Sequence, residues 1–248
     1  MPNEYRSKDW DALAKKNAMW AILTDPAKLK KAWNEDEFFM TGAVEIKGIM
    51  EYIDRLYLDI PKKRALDFGC GVGRLTRALA SYFEEVIGVD ISSSMVNLAD
   101  KYNICGNKCK FYVNEKLDLS LFKDDEFDFI YSNIVLQHIH QKYSTIYIKE
   151  FVRILRPAGV LIFQLPSKKT SPKSIKDFIK NLIPSFLLNH YMRIKYGGAI
   201  EMHCIEKNEV IKILTDAGGK VLDIKNDESV GSSLYESLRY CVTKVLYK

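Results

Sequence analysis

The residues best suited to chemistry lie in one short run, Asp67-Phe68-Gly69-Cys70-Gly71-Val72-Gly73, and in an acid 17 residues beyond it, Asp90. Small residues at a turn let backbone approach a ligand closely. A helix starting after the turn would offer N–H groups and partial positive charge to a carboxylate or phosphate. That electrostatic contribution is only about 0.3–1 kcal/mol at an exposed site, so selectivity must come from neighbouring side chains. An acid closing the next strand can accept hydrogen bonds from both hydroxyls of a ribose, the role open to Asp90. The dinucleotide pattern G-x-G-x-x-G is not met. Its third glycine falls on Arg74 counted from Gly69, and on Thr76 counted from Gly71. Asp67, just before the turn, would also be a poor neighbour for a pyrophosphate. A nicotinamide-dependent oxidoreductase is therefore disfavoured.

The elements that must position these groups follow from periodicity. Short apolar strands are expected at Arg64–Phe68, Glu85–Val89, Lys110–Val113, Phe127–Tyr131 and Val160–Gln164. Helices are expected between them. One covers Arg74–Phe83, with Leu75 and Leu79 one turn apart. One is capped by Ser92 and runs to about Tyr102. One covers about Ser144–Leu155 and stops before the turn Arg156-Pro157-Ala158-Gly159. Such alternation implies a parallel sheet with helices on both faces. The end differs. A helix over Asn208–Ala217 closes at Gly218-Gly219, and strands Val221–Lys225 and Leu238–Leu246 follow, joined by the polar loop Asn226–Ser233. That reads as an antiparallel hairpin on the sheet edge.

Two further segments frame this core. Residues 8–57 read as a helical prelude, with Trp10, Leu13, Ala14, Asn17 and Trp20 at helical spacing. Thr24-Asp25-Pro26 stops and restarts the helix, and an amphipathic stretch runs from about Val44 to Tyr57. Residues 166–200 hold Lys168, Lys169, Lys173, Lys176, Lys180, Arg193 and Lys195 against one acid, Asp177, with apolar residues interleaved. They read as an insertion of one or two short helices. The chain is expected to be a single domain over 1–248, with an N-terminal cap (1–57), a core (58–165), a lid (166–205) and a terminal helix and hairpin (206–248).

The pattern D-x-G-x-G-x-G with an acid after the second strand resembles the cofactor signature of class I S-adenosylmethionine-dependent methyltransferases of the small-molecule type. The resemblance covers about residues 38–165 and the closing hairpin. It implies a doubly wound, seven-stranded, mostly parallel Rossmann-like sheet with an antiparallel C-terminal hairpin. It implies S-adenosylmethionine as cofactor and S-adenosylhomocysteine as product. It assigns Asp67 to the methionine end of the cofactor, Gly69, Cys70, Gly71, Gly73 and Arg74 to the glycine turn, and Asp90 to the ribose. Ile91 and Met95 would border the adenine, with core packing open for Met95. Family members place an Asp soon after strand three for the adenine amino group. Here that position falls near Lys116, so Asp118, Asn114 or backbone around Leu117 stands in for it. Ser132 and Asn133, leaving strand four, would pass beside the transferable methyl. Phe39, Thr41 and Gly42 resemble a segment folded over the cofactor, the alternative being a hydrophobic staple under a helix start at Thr41. The N-P-P-Y type motif of enzymes that methylate planar amino groups is absent.

Methyl transfer from a sulfonium is an in-line displacement that needs a base only when the acceptor must lose a proton. His138, in the segment after strand four, is the first candidate, and His203 is the second. For His138 the alternative is a ring hydrogen-bonded to backbone at a helix start. His140 and His190 read as surface residues.

The acceptor expected is an oxygen or nitrogen of a small metabolite, a sugar or an anionic compound among them. Rival readings are an RNA or protein methyltransferase gripping its substrate with the basic lid, and a non-catalytic binding protein. A net charge of +5 is modest for a nucleic-acid binder, so no stable nucleic acid partner is expected. The polar start carries no signal-peptide core, and no apolar run reaches the roughly 18 residues of a membrane span. Weak peripheral membrane contact through 168–195 is open. The five scattered cysteines suit a reducing, cytoplasmic setting. Cys105 and Cys109 have no second pair at zinc spacing, so no metal is expected.

Overall fold

The computed structural model describes residues 2–25, 27–28, 31–171, 183–229 and 234–245. Its strands are β1 (Arg64–Phe68), β2 (Glu85–Asp90), β3 (Cys109–Val113), β4 (Phe127–Ser132), β5 (Leu155–Lys169), β6 (Gly219–Asn226) and β7 (Tyr235–Lys244). They form one seven-stranded sheet in the order β3-β2-β1-β4-β5-β7-β6. β1 pairs in parallel with β2 and β4, and β2 with β3, while β7 runs antiparallel to β5 and β6. The expected doubly wound sheet with a reversed terminal hairpin is the one observed. The chain gathers into two compact units, Met1–Lys116 with Glu126–Tyr131, and Leu117–Asp125 with Ser132–Lys248.

In the first unit, β1, β2 and β4 are buried nearly throughout, as continuous apolar runs require of strands covered on both faces. Among the described residues, the helices α1 (Pro2–Ile22), α2 (Glu35–Arg55), α3 (Arg74–Leu79) and α4 (Ser93–Lys101) belong here. α1 breaks at Asn17, which is extended (φ −165°). The Asn17 side chain accepts from Trp20 N–H at 3.2 Å and so restarts the helix as a cap. The helix stops at Ile22, near the expected Thr24-Asp25, and Pro26 lies outside the described residues. Ser92 caps α4 as expected, accepting from Met95 N–H at 3.1 Å. Asp11 of α1 accepts from both the Ser92 hydroxyl and Ser94 N–H, at 2.5 and 3.0 Å, and ties the prelude to that cap.

The second helix of the prelude starts earlier than its apolar spacing suggested. Asn34 caps α2, and Glu35, Asp36 and Glu37 fill its first turn, where the helix dipole favours anions. Thr41 is therefore inside the helix, not at its start, and its hydroxyl donates to Phe38 O at 2.6 Å. The staple reading at Thr41 fails for that reason. α2 lies close on α3 because Gly42 has no side chain. A Cβ there would sit 2.5 Å from the carbonyl oxygen of Arg74. Gly42→Ala must push the two helices apart and is expected to cost about 1–3 kcal/mol, read as a lower denaturation midpoint. An unchanged midpoint would mean that the helices yield freely.

α3 is shorter than expected and gives way to tight turns after Leu79, with Tyr82 N–H bonded to Leu79 O at 2.9 Å.

The second unit contains α5 (Gln141–Ile154), α6 (Ser185–Tyr196), α7 (Lys207–Asp216) and the strands β5, β6 and β7. The sequence 156–159 is not a free turn. It belongs to β5 as an irregularity, with a register shift against β7 between Pro157 and Val160 and a left-handed Ala158 (φ 61°). Pro157 has no N–H to donate, so the ladder must skip there. Phe163 of β5 stacks on Tyr240 of β7 with ring centroids 5.0 Å apart, in a fully buried layer. Of the expected lid, α6 is described. Lys173, Lys176, Asp177 and Lys180, the loop residue Gly231 and the strand end Leu246 lie outside the described residues.

Candidate functional site

In the first unit the glycine turn leaves β1 with Gly69, Gly71 and Gly73 all at positive φ. Gly71 shows the need most clearly. Its φ is +52°, and a Cβ would lie 2.6 Å from Ile22 Cδ1. Its N–H donates to Asp90 Oδ2 at 2.9 Å, while Asp90 Oδ1 accepts from Ser92 N–H at 2.9 Å. Ile91 N–H also reaches this carboxylate, and of its about four acceptor positions one is left to take a ribose hydroxyl. Burial holds the Asp90 carboxyl above its ordinary range, against the backbone N–H bonds that oppose this.

Asp67 is 1% exposed at the end of β1. Its Oδ2 accepts from the Thr76 hydroxyl at 2.6 Å, and Thr76 N–H reaches the same carboxylate. The start of α3, expected to be open to a ligand, is thus partly satisfied by Asp67 itself. Burial pushes the Asp67 carboxyl up to about 7, with Thr76 and Arg74 opposing and Glu45 adding to the rise. Arg74, 3% exposed, donates from Nη2 to Glu45 Oε2 at 2.8 Å and from Nη1 to Thr41 Oγ1 at 3.3 Å. Glu45 Oε1 accepts from the Tyr131 hydroxyl at 2.9 Å.

The second unit holds the segment after β4. Asn133 is buried and meets the Ser229 hydroxyl at 2.9 Å. His138 Nδ1 lies 2.7 Å from the Glu201 carbonyl oxygen, so the proton belongs on Nδ1. Nε2 lies 3.1 Å from Gln137 Nε2 and accepts from it. The amide orientations follow along a chain. Gln137 Oε1 accepts from Gln164 Nε2 at 3.0 Å, and Gln164 Oε1 accepts from Ile134 N–H at 3.1 Å. Ser237 Oγ accepts a second bond from Gln164 at 2.6 Å. His203 N–H donates to Gln137 O at 2.7 Å, and its ring Nε2 lies 3.5 Å from Glu201 Oε2.

Residues 66–163 match the family described as methyltransferase domain. That stretch, and not the whole chain, is similar to a methyltransferase domain. The methyltransferase fold is shared with magnesium protoporphyrin IX methyltransferase of Synechocystis holding S-adenosylhomocysteine, at TM-score 0.62 and 19% identity over 91% of this chain and 93% of that one. An uncharacterised protein of Methanocaldococcus jannaschii is 35% identical over 133 residues, 54% of this chain and 58% of its own. Phosphoethanolamine N-methyltransferase 3 of Arabidopsis thaliana is 32% identical over 148 residues, 58% of this chain and 29% of its own. The chain spans less than two thirds of the length of these two relatives.

The residues present fit the methyltransferase cofactor. Among the described residues, five buried side-chain atoms have no hydrogen-bond partner, and two of them belong to the glycine-turn cluster: Asp67 Oδ1, an acceptor, and Arg74 Nε, a donor. An amino-acid zwitterion brings the complementary ammonium and carboxylate. Leaving either atom unmet costs about 1–3 kcal/mol or more, which a bound methionine end would recover.

The other expected residues divide by surroundings. Ile91 is half-buried and its carbonyl faces Ser7 Oγ at 3.5 Å. Met95, 1% exposed, is turned into the core from α4. Phe39 packs edge-on against Phe38 and Tyr102 under the Arg77 guanidinium, so it and Gly42 serve helix packing. Cys70 is buried, and burial keeps its thiol neutral by pushing it well up. Asn114 is buried, and its N–H donates to Asp90 O at 2.8 Å. Asp118 turns its Oδ1 to Ser120 N–H at 3.0 Å, next to half-buried Leu117. Ser132 is buried at the end of β4. Among the described residues no cluster of His, Cys, Asp or Glu could hold a metal ion, and no helix is long and apolar enough to cross a membrane.

Sequence reasoning missed Glu45, Gln137 and Gln164, and read Thr76 only as an absent glycine. Signals existed. Glu45 interrupts the buried face Gly42-Ile46-Ile49-Ile53 of α2, and Gln164 interrupts the apolar run Val160–Leu165. A lone polar residue in a buried run needs a buried partner.

Proposed function

We propose that this protein transfers the methyl group of S-adenosylmethionine to an oxygen or nitrogen of a small metabolite. The observation that carries it is the buried acceptor–donor pair, Asp67 Oδ1 and Arg74 Nε, standing unmet in the same unit as Asp90. In this reading Asp67 holds the ammonium, Arg74 the carboxylate, and Asp90 a ribose hydroxyl. Asn114, adjoining Asp90, takes the adenine side, since Asp118 is turned to its own loop. The bound cofactor supplies an electrophilic methyl, and the chain's task is to align the acceptor and exclude water. Alignment alone can remove roughly 7–11 kcal/mol of barrier. The relative named for phosphoethanolamine supports a small, anionic amine among the acceptors to be tried.

Titration with S-adenosylmethionine, S-adenosylhomocysteine and NAD tests the reading. Tight binding of the first two and none of NAD is expected, and NAD binding alone would overturn it. Labelled methyl should then appear on one of a panel of small amines, phosphate esters and phenols. Label found only on RNA or protein would refute the small-acceptor reading.

His138 is held at both nitrogens, and accepting a proton at Nε2 would require releasing Gln137. His138→Gln is therefore expected to keep turnover within a few-fold under saturating cofactor. A loss of roughly 10²-fold or more, with a displaced pH profile, would identify His138 as the base instead.

A further inference from the structure

One helix of the second unit presents the wrong face to its surroundings. α7 buries Val210, Ile213 and Leu214 and leaves Lys212 and Asp216 outside, as a surface helix should. α6 does the opposite. Phe186 is 68% exposed and Ile194 71%, and Leu187 and Tyr191 are also exposed. Phe186, His190 and Ile194 recur every four residues, with Leu187 and Tyr191 on the adjoining row, so they make one stripe. Its other side is anchored: Asn189 Nδ2 donates to Glu201 Oε1 at 2.8 Å.

The charge carried by α6 itself has one sign. α6 carries no acid, and its last turn holds Arg193 and Lys195, both exposed. Over residues 166–200 seven cations stand against the single acid Asp177. A second copy of this chain would bring the same excess of cations to the stripe and be repelled. An apolar stripe bordered by cations matches an interfacial helix on an anionic surface. Its 12 residues, about 18 Å long at 1.5 Å per residue, cannot cross a hydrocarbon core of about 30 Å. Such a helix lies in the plane of the interface.

We propose that α6 docks this protein on an anionic lipid bilayer, with Phe186, Leu187, Tyr191 and Ile194 entering the headgroup–acyl boundary and Arg193 and Lys195 facing lipid phosphates. This docking is independent of which acceptor is methylated. The test is co-sedimentation of the full chain with vesicles of phosphatidylcholine alone, and of phosphatidylcholine mixed with phosphatidylglycerol. Binding is expected only to the anionic vesicles, and it should fade as salt shortens the range of attraction. Phe186→Ser with Ile194→Ser should weaken binding at least about tenfold. Arg193→Ala with Lys195→Ala should weaken it about fivefold per cation. Both double variants should keep the wild-type denaturation midpoint and S-adenosylhomocysteine affinity, because they alter exposed side chains. In Phe186→Trp, emission should shift to the blue on anionic vesicles. No binding at low salt, binding indifferent to both double variants, or a dimer that Phe186→Ser abolishes would each overturn the proposal.

Discussion

Asp67→Asn is expected to weaken S-adenosylhomocysteine binding at least about thirtyfold at neutral pH and to flatten its pH dependence. Removing one partner of a buried, hydrogen-bonded charge pair costs about 2–5 kcal/mol. The pH dependence follows from where Asp67 titrates. Burial raises its carboxyl from 3.8 to about 7 in the folded protein. A ligand ammonium favours the ionised form. Wild-type affinity should therefore tighten as pH rises toward about 7 and level off above it, with proton release on binding below that point. Calorimetry in buffers of different ionisation heat would read both quantities. A wild-type profile that is flat across this window, or a variant that keeps the wild-type affinity, would remove Asp67 from the cofactor site.

The same titration acts on the unliganded fold with the opposite sense. Between about pH 4 and about pH 7 the folded state holds a proton that the unfolded chain has lost. Stability of the unliganded protein should then fall as pH rises through that window and stay lower above it. The ceiling on this loss is about 4 kcal/mol, the free energy of ionising a carboxyl at about 7 rather than at its ordinary 3.8. Asp67→Asn cannot ionise and should not show it. Denaturation midpoints of both proteins from about pH 5 to about pH 8 make the comparison.

Glu45→Ala should be the most damaging single change to stability in the same cluster. It leaves the Arg74 guanidinium buried without its carboxylate and takes the acceptor from the Tyr131 hydroxyl. Breaking a buried ion pair from one side costs about 3–5 kcal/mol. Replacing both partners, as Glu45→Leu with Arg74→Met, should recover much of that loss, since well-packed apolar pairs often match buried ion pairs. Glu45→Gln adds a readout that simple packing damage would not produce. The Glu45 charge helps raise the Asp67 carboxyl, so its removal should move the pH profile of cofactor binding to lower pH. A single variant as stable as wild type would show that water reaches Arg74.

Much of the backbone plan was readable one residue at a time. β1 begins and ends at the residues expected, and Ser92 caps α4 as its position before an apolar-periodic stretch implied. These are local matters of apolar runs, caps and turns, whose causes lie within a few residues. The misjudged boundaries mark places where local signals compete. In α2 the cap at Asn34 and the acidic first turn outweighed the apolar spacing that suggested Val44. At Pro157 the strand continued through a bulge, because β7 supplies a ladder for β5 to resume at Val160. No window of β5 contains that partner.

The glycine turn, Asp67 before it and Asp90 beyond it were visible because their chemistry depends on residue type at fixed spacing along one strand–turn–helix unit. From the sequence alone, their resemblance to the methyltransferase signature implied the cofactor class, and the alternation of strands and helices implied the parallel sheet that carries it. Tertiary structure decided what each group can do. Asp67 becomes an acid titrating near neutrality only because the surrounding strands and helices bury it and Thr76 binds one oxygen. Arg74, read first as a missing glycine, is a buried guanidinium because Glu45, 29 residues away, meets it from α2. His138 is held at both ring nitrogens, by Gln137 and by a carbonyl 63 residues away. Spacing along a chain fixes which residues share one element. Desolvation and hydrogen-bond partnership depend on what other elements bring, and those set charge and proton affinity.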